Sequence, residues 1–454
     1  MKAIWIGLAL VLAACGMGAV AQPTAADPSG DWRGTVSLGA VTLRAALHLG
    51  DTSTFDSPDQ GVRGIPARMT VAGRNVTVTI EGVGVFEGTL SADGNVLEGV
   101  LNQGPAAIPI RFERGTFSAV NRPQTPVSPF PYRAEEASYD NLRQPDVRLA
   151  GTLTLPRSGG PFPAVLLISG SGPQDRDGTV FEHKPFLVLA DALTRRGIAV
   201  LRVDDRGVGG SSRGRQDPTT ADFATDVEAG LAWLRARGDI DPSRIGLIGH
   251  SEGALIAAMV ASEDQAVDFA VLWAGPGVSG EQLLVEQARA LSLSGGASQE
   301  TAQNVAELQG AILQAVIAEP NVERLHASLG RITTSRGAAP INEEAARALS
   351  SPWYRHFLTF DPARALRNVR APVLALLGGR DVQVPAHQNA PALRAALANN
   401  RGATVEVLPG LNHLFQTAQT GAPDEYGRID ETISPSALAR MVDWIVDRAA
   451  PSSR

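Results

Sequence analysis

The sequence predicts two folded domains, a small all-β domain and then a larger α/β domain with a mostly parallel, doubly wound sheet. Short alternating apolar runs broken by turn residues fill residues 30–116, which is typical of antiparallel strands. Four prolines then fall within residues 119–131, and such a segment is stiff and extended. Beyond it, apolar strands alternate with helical segments, which predicts a parallel sheet covered by helices on both faces.

Length and composition limit the functions to be considered. The 454 residues are enough for two domains, each with its own core. The net charge is −7 and there is no long basic run, so neither nucleic acid nor an anionic membrane surface is expected as a partner. Cys15 is the only cysteine, which excludes a disulfide within the chain and cysteine catalysis in the mature body. Because there is no His-Glu-x-x-His motif and no cysteine pair, we expect no catalytic metal.

The first residues have the composition of a targeting segment. Lys2 gives a positive start, and residues 4–14 form an apolar stretch too short to span a bilayer. Ala19-Val20-Ala21 has the small residues of a signal-peptidase site, whereas Leu12-Ala13-Ala14-Cys15 has the pattern of a bacterial lipobox. The removed segment is therefore either 1–21, or 1–14 with a lipid anchor at Cys15. Both alternatives predict export, to the periplasm or the extracellular medium.

The all-β domain is predicted over residues 28–118. Gly73-Arg74-Asn75 and Asp93-Gly94-Asn95 are typical of hairpin turns. Five or more short strands with no helical segment indicate a small barrel or sandwich. The predicted strands are Val41–Leu49, Arg68–Ile80, Val85–Leu90, Val96–Leu101 and Ile108–Glu113.

A Pro-rich linker over 119–133 leads into the α/β domain, which is predicted over 134–450. Helices are expected between its strands, for example at Phe186–Arg196 and Phe223–Arg237. The predicted strands are Leu149–Leu155, Ala164–Ile168, Ile198–Val203, Ile245–Ile248, Phe269–Trp273, Val373–Leu377 and Thr404–Leu408.

The alternation stops over about residues 277–368, where the sequence is mostly helical, including Glu281–Leu293 and Glu300–Glu319. An insertion at this point lies beside the carboxyl ends of the strands, where sites in such sheets are built. We therefore expect a helical lid.

The most informative motif is Gly249-His250-Ser251-Glu252-Gly253. An apolar run precedes it and a helical run follows it, so Ser251 occupies a sharp strand-to-helix corner that holds its hydroxyl at the top of the sheet. Gly210-Ser211-Ser212-Arg213-Gly214 also has the Gly-x-Ser-x-Gly pattern, but Arg215-Gln216-Asp217-Pro218 follows it, which predicts a loop. Ser251 is therefore the predicted nucleophile.

A serine nucleophile needs a base and an acid that orients the base. Among the seven histidines, His413 lies in the loop after the strand Thr404–Leu408, and Asp381 follows the preceding strand. The order Ser251, Asp381, His413 is one in which such triads occur along a chain. His250 is excluded as the base because neighbouring side chains on a strand point to opposite faces. The alternative base is His387, and the alternative acids are Asp361 and Asp204.

An oxyanion hole needs two backbone N–H groups directed at the carbonyl oxygen of the substrate. One is expected from Glu252, at the start of a helix, and the other from Ser171 or Gly172 in the loop after the strand Ala164–Ile168. The run Asp204-Asp205-Arg206-Gly207 predicts a structural turn rather than a phosphate site, because no glycine-rich loop opens a helix there. Aromatic residues that could line an acyl pocket, or equally form core, are Trp273, Trp353, Tyr354 and Phe357.

Four separate motifs together resemble exported bacterial α/β-hydrolases, the esterases related to serine aminopeptidase-like hydrolases. They are Gly249-His250-Ser251-Glu252-Gly253, Ser169-Gly170-Ser171-Gly172-Pro173-Gln174-Asp175-Arg176-Asp177, Asp204-Asp205-Arg206-Gly207-Val208-Gly209-Gly210-Ser211 and Gly378-Gly379-Arg380-Asp381. The resemblance covers about residues 135–449 and implies a carboxylesterase for short acyl chains without a cofactor. The chain departs from the family pattern at Ser169, where many members have His-Gly. Residues 32–114, with Ser57-Pro58-Asp59-Gln60-Gly61, are similar to β-rich domains that precede such hydrolases.

The sequence thus predicts a serine carboxylesterase that acts on small esters through an acyl-enzyme. Two alternatives remain open at this stage. One is a serine peptidase that acts on short peptides, since acyl transfer from an amide uses the same groups. The other is a cell-surface binding protein whose hydrolase body is inactive.

Overall fold

The computed structural model describes residues 27–38, 41–104 and 106–450. The predicted processing sites and Cys15 lie outside these ranges. The chain divides into two compact units. The first comprises residues up to Asn121 with 180–182 and 329–347, and the second comprises the remainder. Within the described ranges, no helix is both long enough and apolar enough to cross a membrane.

The first unit contains a closed antiparallel barrel of eight strands. Each strand pairs with the next, and the first pairs with the last through Trp32 and Arg114. The prediction of an all-β domain is confirmed, and of the two predicted architectures, barrel or sandwich, the structure has the barrel. The strands are Gly30–Leu38 (β1), Val41–Leu49 (β2), Ser53–Ser57 (β3), Val62–Ala72 (β4), Asn75–Ile80 (β5), Gly84–Leu90 (β6), Val96–Gln103 (β7) and Ala106–Arg114 (β8).

Alternate residues of the barrel strands point inward and fill it. Trp32, Leu47, Phe86 and Phe112 are among the largest fully buried side chains, and the rings of Phe86 and Phe112 meet edge to face at 5.2 Å. The barrel is therefore held by a packed apolar core. The two predicted hairpin turns are confirmed, with positive φ angles of 65° at Gly73 and 72° at Gly94, a conformation that glycine adopts at little cost.

The second unit contains an eight-stranded sheet in the order β16-β15-β14-β13-β11-β12-β10-β9. All neighbouring pairs from β12 to β16 in this order are parallel, including β12 with β11, whereas β10 is antiparallel to both β9 and β12. The strands are Arg133–Asp140 (β9), Arg148–Leu155 (β10), Phe162–Ile168 (β11), Ala199–Val203 (β12), Ile240–His250 (β13), Ala270–Trp273 (β14), Val373–Gly378 (β15) and Thr404–Leu408 (β16).

Helices cover both faces of this sheet, as predicted for a doubly wound fold. Residues of α2, α3 and α10 belong to one apolar cluster, and residues of α1 and α11 belong to the other. The helices are Pro185–Arg195 (α1), Thr220–Arg235 (α2), Glu252–Glu263 (α3), Gly280–Ser294 (α4), Gln299–Ala318 (α5), Val322–Ser335 (α6), Glu343–Leu349 (α7), Pro352–Thr359 (α8), Pro362–Leu366 (α9), Ala386–Ala396 (α10) and Pro435–Ala449 (α11).

The strand order determines where a site can form. From β11 the chain passes to β12 on one side of β11 and then crosses to β13 on its other side. The strand order therefore reverses at β11, and a crevice is expected outside the carboxyl ends of β11 and β13. Helices α4 to α9 lie between β14 and β15 in the chain, at the position of the predicted insertion. The loops after β12, β11, β13, β15 and β16 all leave the same end of the sheet.

Candidate active site

Ser251 lies at the corner between β13 and α3. Its backbone has φ 55° and ψ −119°, a strained conformation for a residue with a side chain. A Cβ atom at Gly249 would overlap the carbonyl oxygen of Gly253, and one at Gly253 would overlap that of Ile168. The predicted sharp corner is therefore confirmed, and its two glycines are required because a side chain at either position would overlap the backbone. The second Gly-x-Ser-x-Gly run is a loop, as predicted, in which Ser212 accepts a hydrogen bond from the Arg148 N–H at 2.8 Å.

Asp381 and His413 meet at the carboxyl ends of β15 and β16. Nδ1 of His413 donates to Oδ2 of Asp381 at 2.7 Å. The other carboxylate oxygen of Asp381 accepts from the backbone N–H groups of Gln383 and Val384, both at 2.8 Å. Because an ionised carboxylate only accepts, the proton of the neutral imidazole lies on Nδ1 and the lone pair on Nε2. This is the tautomer that a general base needs.

The side chain of His250 connects the Ser251 corner to the loop of His413. Its Nε2 lies 3.1 Å from the carbonyl oxygen of His413, and the two imidazole rings are 4.7 Å apart. A carbonyl oxygen can only accept, so Nε2 of His250 carries a proton. Burial, together with repulsion from the His413 ring whenever that ring is protonated, lowers the pKa of His250 to about 3, which keeps the His250 ring neutral. The sequence analysis excluded His250 as the base but missed this contact, which no local pattern indicates.

The loop after β11, Ser169 to Gln174, is named the oxyanion loop below. A Cβ atom at Gly170 would lie 3.2 Å from Cβ of Ser251 and 3.4 Å from the carbonyl oxygen of His250, so this loop contacts the corner. Glu252 is the first residue of α3, where a backbone N–H has no acceptor within the helix. Gly172 has φ 91° and open space where a side chain would be. Glu252, Ser171 and Gly172 remain the predicted donors, and the backbone of Gly170, which was not among the predicted site residues, lies against Ser251.

The comparisons with known proteins agree with this architecture. A model of the alpha/beta hydrolase family matches residues 165–426, more than half of the chain. The chain belongs to that family. It is 28% identical over 359 residues to Esterase EstD of Thermotoga maritima, covering 74% of this chain and 78% of the relative. It is also 38% identical over 118 residues to an uncharacterized protein of Mycobacterium tuberculosis, covering 26% of this chain and 38% of that protein.

Solved structures are also similar to this alpha/beta hydrolase. Alpha/beta hydrolase GrgF from Penicillium sp. sh18 matches with a TM-score of 0.44 and 18% identity, covering 70% of this chain and 100% of that one. The Pyrococcus furiosus esterase Pf2001 matches with a TM-score of 0.43 and 15% identity, covering 70% of this chain and 94% of that one.

The four aromatic residues considered for an acyl pocket differ in their positions. Trp273 is 1% exposed and packs in the core against His250, Phe186 and Phe415. The prediction that Trp273 lines a pocket is therefore wrong, because its ring has no surface open to a substrate.

The other three aromatic residues lie on α8. Nε1 of Trp353 donates to Oε1 of Glu252 at 2.9 Å, and its ring stacks on Phe357 at 5.7 Å and lies 5.9 Å from that of Tyr354. Trp353 thus contacts the residue that follows the predicted nucleophile. This contact places α8 of the helical insertion beside the Ser251 corner.

The alternative acids and base make other contacts. Asp361 caps α9 by accepting from the N–H of Ala363 at 2.9 Å. Asp204 binds the guanidinium of Arg176 at 2.8 Å. Nε2 of His387 lies 3.0 Å from Glu286, with 62% of its side chain exposed. Among the candidates considered, Asp381 and His413 are the pair that the structure joins.

Proposed function

We propose that this alpha/beta hydrolase is a serine carboxylesterase that cleaves small, short-acyl esters through an acyl-enzyme on Ser251. The observation that carries the proposal is the joining of the strained Ser251 corner to a hydrogen-bonded Asp381–His413 pair through the contact between His250 and His413. The esterase relative supports the choice of ester over other acyl compounds.

The proposed chemistry follows from the tautomer of His413. Nε2 takes the proton of the Ser251 hydroxyl as its oxygen attacks the ester carbonyl, while Asp381 stabilises the imidazolium through Nδ1. The carbonyl oxygen becomes an oxyanion, which backbone N–H groups of Glu252 and of the oxyanion loop stabilise. The intermediate collapses, and the alcohol leaves with the proton from Nε2. A water molecule, deprotonated by the same nitrogen, then releases the acid and restores Ser251.

Two lid carboxylates that could bind the amino terminus of a peptide are already paired. Glu286 binds Arg289 at 2.6 Å and His387 at 3.0 Å. Glu319 binds Arg324 at 2.9 Å. An ammonium group of a substrate would have to displace these cations, and the ester activity is therefore the one we propose.

The test is hydrolysis of p-nitrophenyl acetate and butyrate by the full chain and by Ser251→Ala. The variant should lose the activity, because it removes the hydroxyl of the proposed nucleophile. Ser212→Ala is the matched control, since Ser212 is the central serine of the second Gly-x-Ser-x-Gly run, and it should keep the activity of the parent protein. Equal rates in the parent protein and Ser251→Ala would refute the proposal, as would faster cleavage of aminoacyl-p-nitroanilides than of esters. A fluorophosphonate that does not label Ser251 would favour the non-catalytic binding protein instead.

We also propose that the chain is exported, from the composition of its first residues alone. N-terminal sequencing of the mature protein distinguishes Gln22 from Cys15 as the first residue. Palmitate labelling that Cys15→Ala abolishes would support the lipid anchor, and a mature chain that retains Met1 would refute export. We further propose the limits 28–118 and 134–450 for the two domains, for which limited proteolysis should cut first within 119–133.

A further inference from the structure

Two carboxyl groups, one half-buried and one buried, lie against the oxyanion loop without a role in the proposed chemistry. Asp205 follows β12, and Glu252 is the first residue of α3. Since β12, β11 and β13 are neighbours in the sheet, the loops that leave their carboxyl ends lie side by side. The oxyanion loop therefore runs between Asp205 on one side and Glu252 on the other.

Asp205 binds both ends of the oxyanion loop. Its Oδ1 accepts from the hydroxyl of Ser169 at 2.5 Å, and its Oδ2 accepts from the backbone N–H of Gln174 at 2.8 Å. Its own N–H donates to the carbonyl oxygen of Gln174 at 3.0 Å. Burial raises the pKa of this carboxyl to about 7, against the effect of the hydrogen bonds from Ser169 and Gln174. A carboxyl group held in such a position costs free energy unless its contacts compensate.

Glu252 lies beside the middle of the same loop. The hydroxyl of Ser171 is close enough to its carboxyl group to lower the pKa of that group. Its Oε1 also accepts from Thr220 of α2 at 2.7 Å and from Trp353 of α8 at 2.9 Å. The side chain is 3% exposed, and burial raises its pKa above the usual range for a glutamate. One carboxyl thus connects the loop to α2 and to α8 of the insertion.

We propose that Asp205 and Glu252 are positioning residues that fix the oxyanion loop in the geometry its N–H donors need. Backbone donors lower an activation barrier only when they are already directed at the developing charge. Gly170 and Gly172 give this loop a backbone with few conformational restrictions. The carboxylate of Asp205 restricts both ends of the loop through hydrogen bonds from Ser169 and Gln174, and the carboxyl group of Glu252 lies beside Ser171 in the middle. The inference rests on the proposed function and extends it to the run Asp204-Asp205-Arg206, which the sequence analysis interpreted as a turn.

The experiment compares Asp205→Ala, Asp205→Asn and Ser169→Ala in the full chain. The probes are p-nitrophenyl acetate, for kcat and KM, and a short alkylboronic acid, for inhibition. The Ser251 oxygen adds to boron while its proton passes to Nε2 of His413, and one oxygen of the resulting tetrahedral boronate anion occupies the oxyanion hole. Asp205→Ala should lower kcat and the affinity for the boronic acid in parallel, by about 10²-fold, the loss expected for one missing donor, with KM little changed. Asp205→Asn should be much milder, because an amide can accept from Gln174 and donate to Ser169.

Asp226→Asn is the matched control. Asp226 is a carboxyl whose pKa burial also raises, but its hydrogen bonds among the described residues go to Arg206 and Asn141. This variant can lose stability, yet it should keep kcat and the boronic acid affinity of the parent protein.

The outcomes separate this inference from the proposed function. An inactive parent protein whose Ser251 is not labelled by a fluorophosphonate would overturn both. An active parent with an unaffected, folded Asp205→Ala variant would overturn the inference alone. So would a loss of kcat without a matching loss of boronic acid affinity, because the defect would then lie outside the oxyanion hole. If Asp205→Ala does not fold, Ser169→Ala decides, since it leaves the carboxyl in place and removes one contact.

Discussion

Asp381→Asn tests the chemistry of the site with little change in shape. In the structure, Oδ1 of Asp381 accepts from the N–H groups of Gln383 and Val384, and Oδ2 faces Nδ1 of His413 at 2.7 Å. An asparagine would direct its oxygen at the two N–H groups, because its NH2 group cannot accept from them. The NH2 group would then face Nδ1 of His413. Two donors cannot share that contact, so the imidazole would adopt the tautomer with its proton on Nε2.

In that tautomer Nε2 cannot take the proton of Ser251. The same carboxylate-to-amide change in a serine protease lowers kcat by about 10⁴-fold, which corresponds to about 5 kcal/mol in the activation barrier. We expect a loss of this size in kcat for p-nitrophenyl acetate, with KM little changed because the change does not touch the pocket. Circular dichroism and thermal unfolding should be close to those of the parent protein, since the two backbone N–H groups keep their acceptor.

Asp361→Asn is the control, because Asp361 caps α9 in the structure and was the alternative acid in the sequence. It should retain the kcat of the parent protein. A loss of less than about tenfold in Asp381→Asn, against the expected four orders of magnitude, would refute the reasoning. A large loss of kcat in Asp361→Asn would show that Asp381 is not the acid of the site.

Three further predictions concern stability. Gly249→Ala should lower the free energy of unfolding, measured by urea titration, by about 3 kcal/mol or more, because its Cβ would overlap the carbonyl oxygen of Gly253. Gly238→Ala, which has open space around the new atom, should leave the free energy of unfolding unchanged. Equal effects of the two changes would contradict the packing argument. Since burial raises the pKa of Asp205 from 3.8 to about 7, the folded state binds this proton more tightly than the unfolded state, so this group's stabilisation is lost as the pH rises through that window. Asp205→Asn should therefore show a free energy of unfolding that falls less between about pH 5 and 7, by about 1.4 kcal/mol per pH unit, and parallel curves for the two proteins would refute the shift. Trp353→Phe keeps an aromatic ring but removes the N–H that donates to the buried Glu252 carboxyl. It should lower the free energy of unfolding, measured by thermal unfolding, by about 1–3 kcal/mol. An unchanged melting temperature would show that the contact contributes nothing to stability.

Two strands that were not predicted from the sequence, β9 and β1, depend on their position in a sheet rather than on an apolar pattern. β9 lies at the edge of the sheet and has polar residues at most positions, including Arg133, Glu135 and Glu136. An edge strand exposes much of its surface, so it needs no apolar run. β1 contains Gly30, Asp31 and Arg33 and becomes a strand because it pairs on both sides when the barrel closes. Such strands are determined by their partners rather than by their own composition.

The sequence by itself determined the features that depend on neighbours in the chain. The strand, corner and helix around Ser251 are contiguous, and the glycines beside the corner follow from its steric requirements. Asp381 and His413 could be proposed because each follows a strand, and the carboxyl ends of parallel strands lie at one edge of a sheet. The four-motif resemblance led to the family that the comparisons then showed.

Only the tertiary structure decided which side chains from distant segments meet. Asp205 and Glu252 reach the oxyanion loop because β12, β11 and β13 are adjacent in the sheet but separated in the chain. His250 meets His413 across more than 160 residues, and Trp273 is buried although aromatic residues near a site often contact substrate. These contacts depend on strand order and packing, which arise from the chain as a whole, and a local pattern of residues carries no record of them.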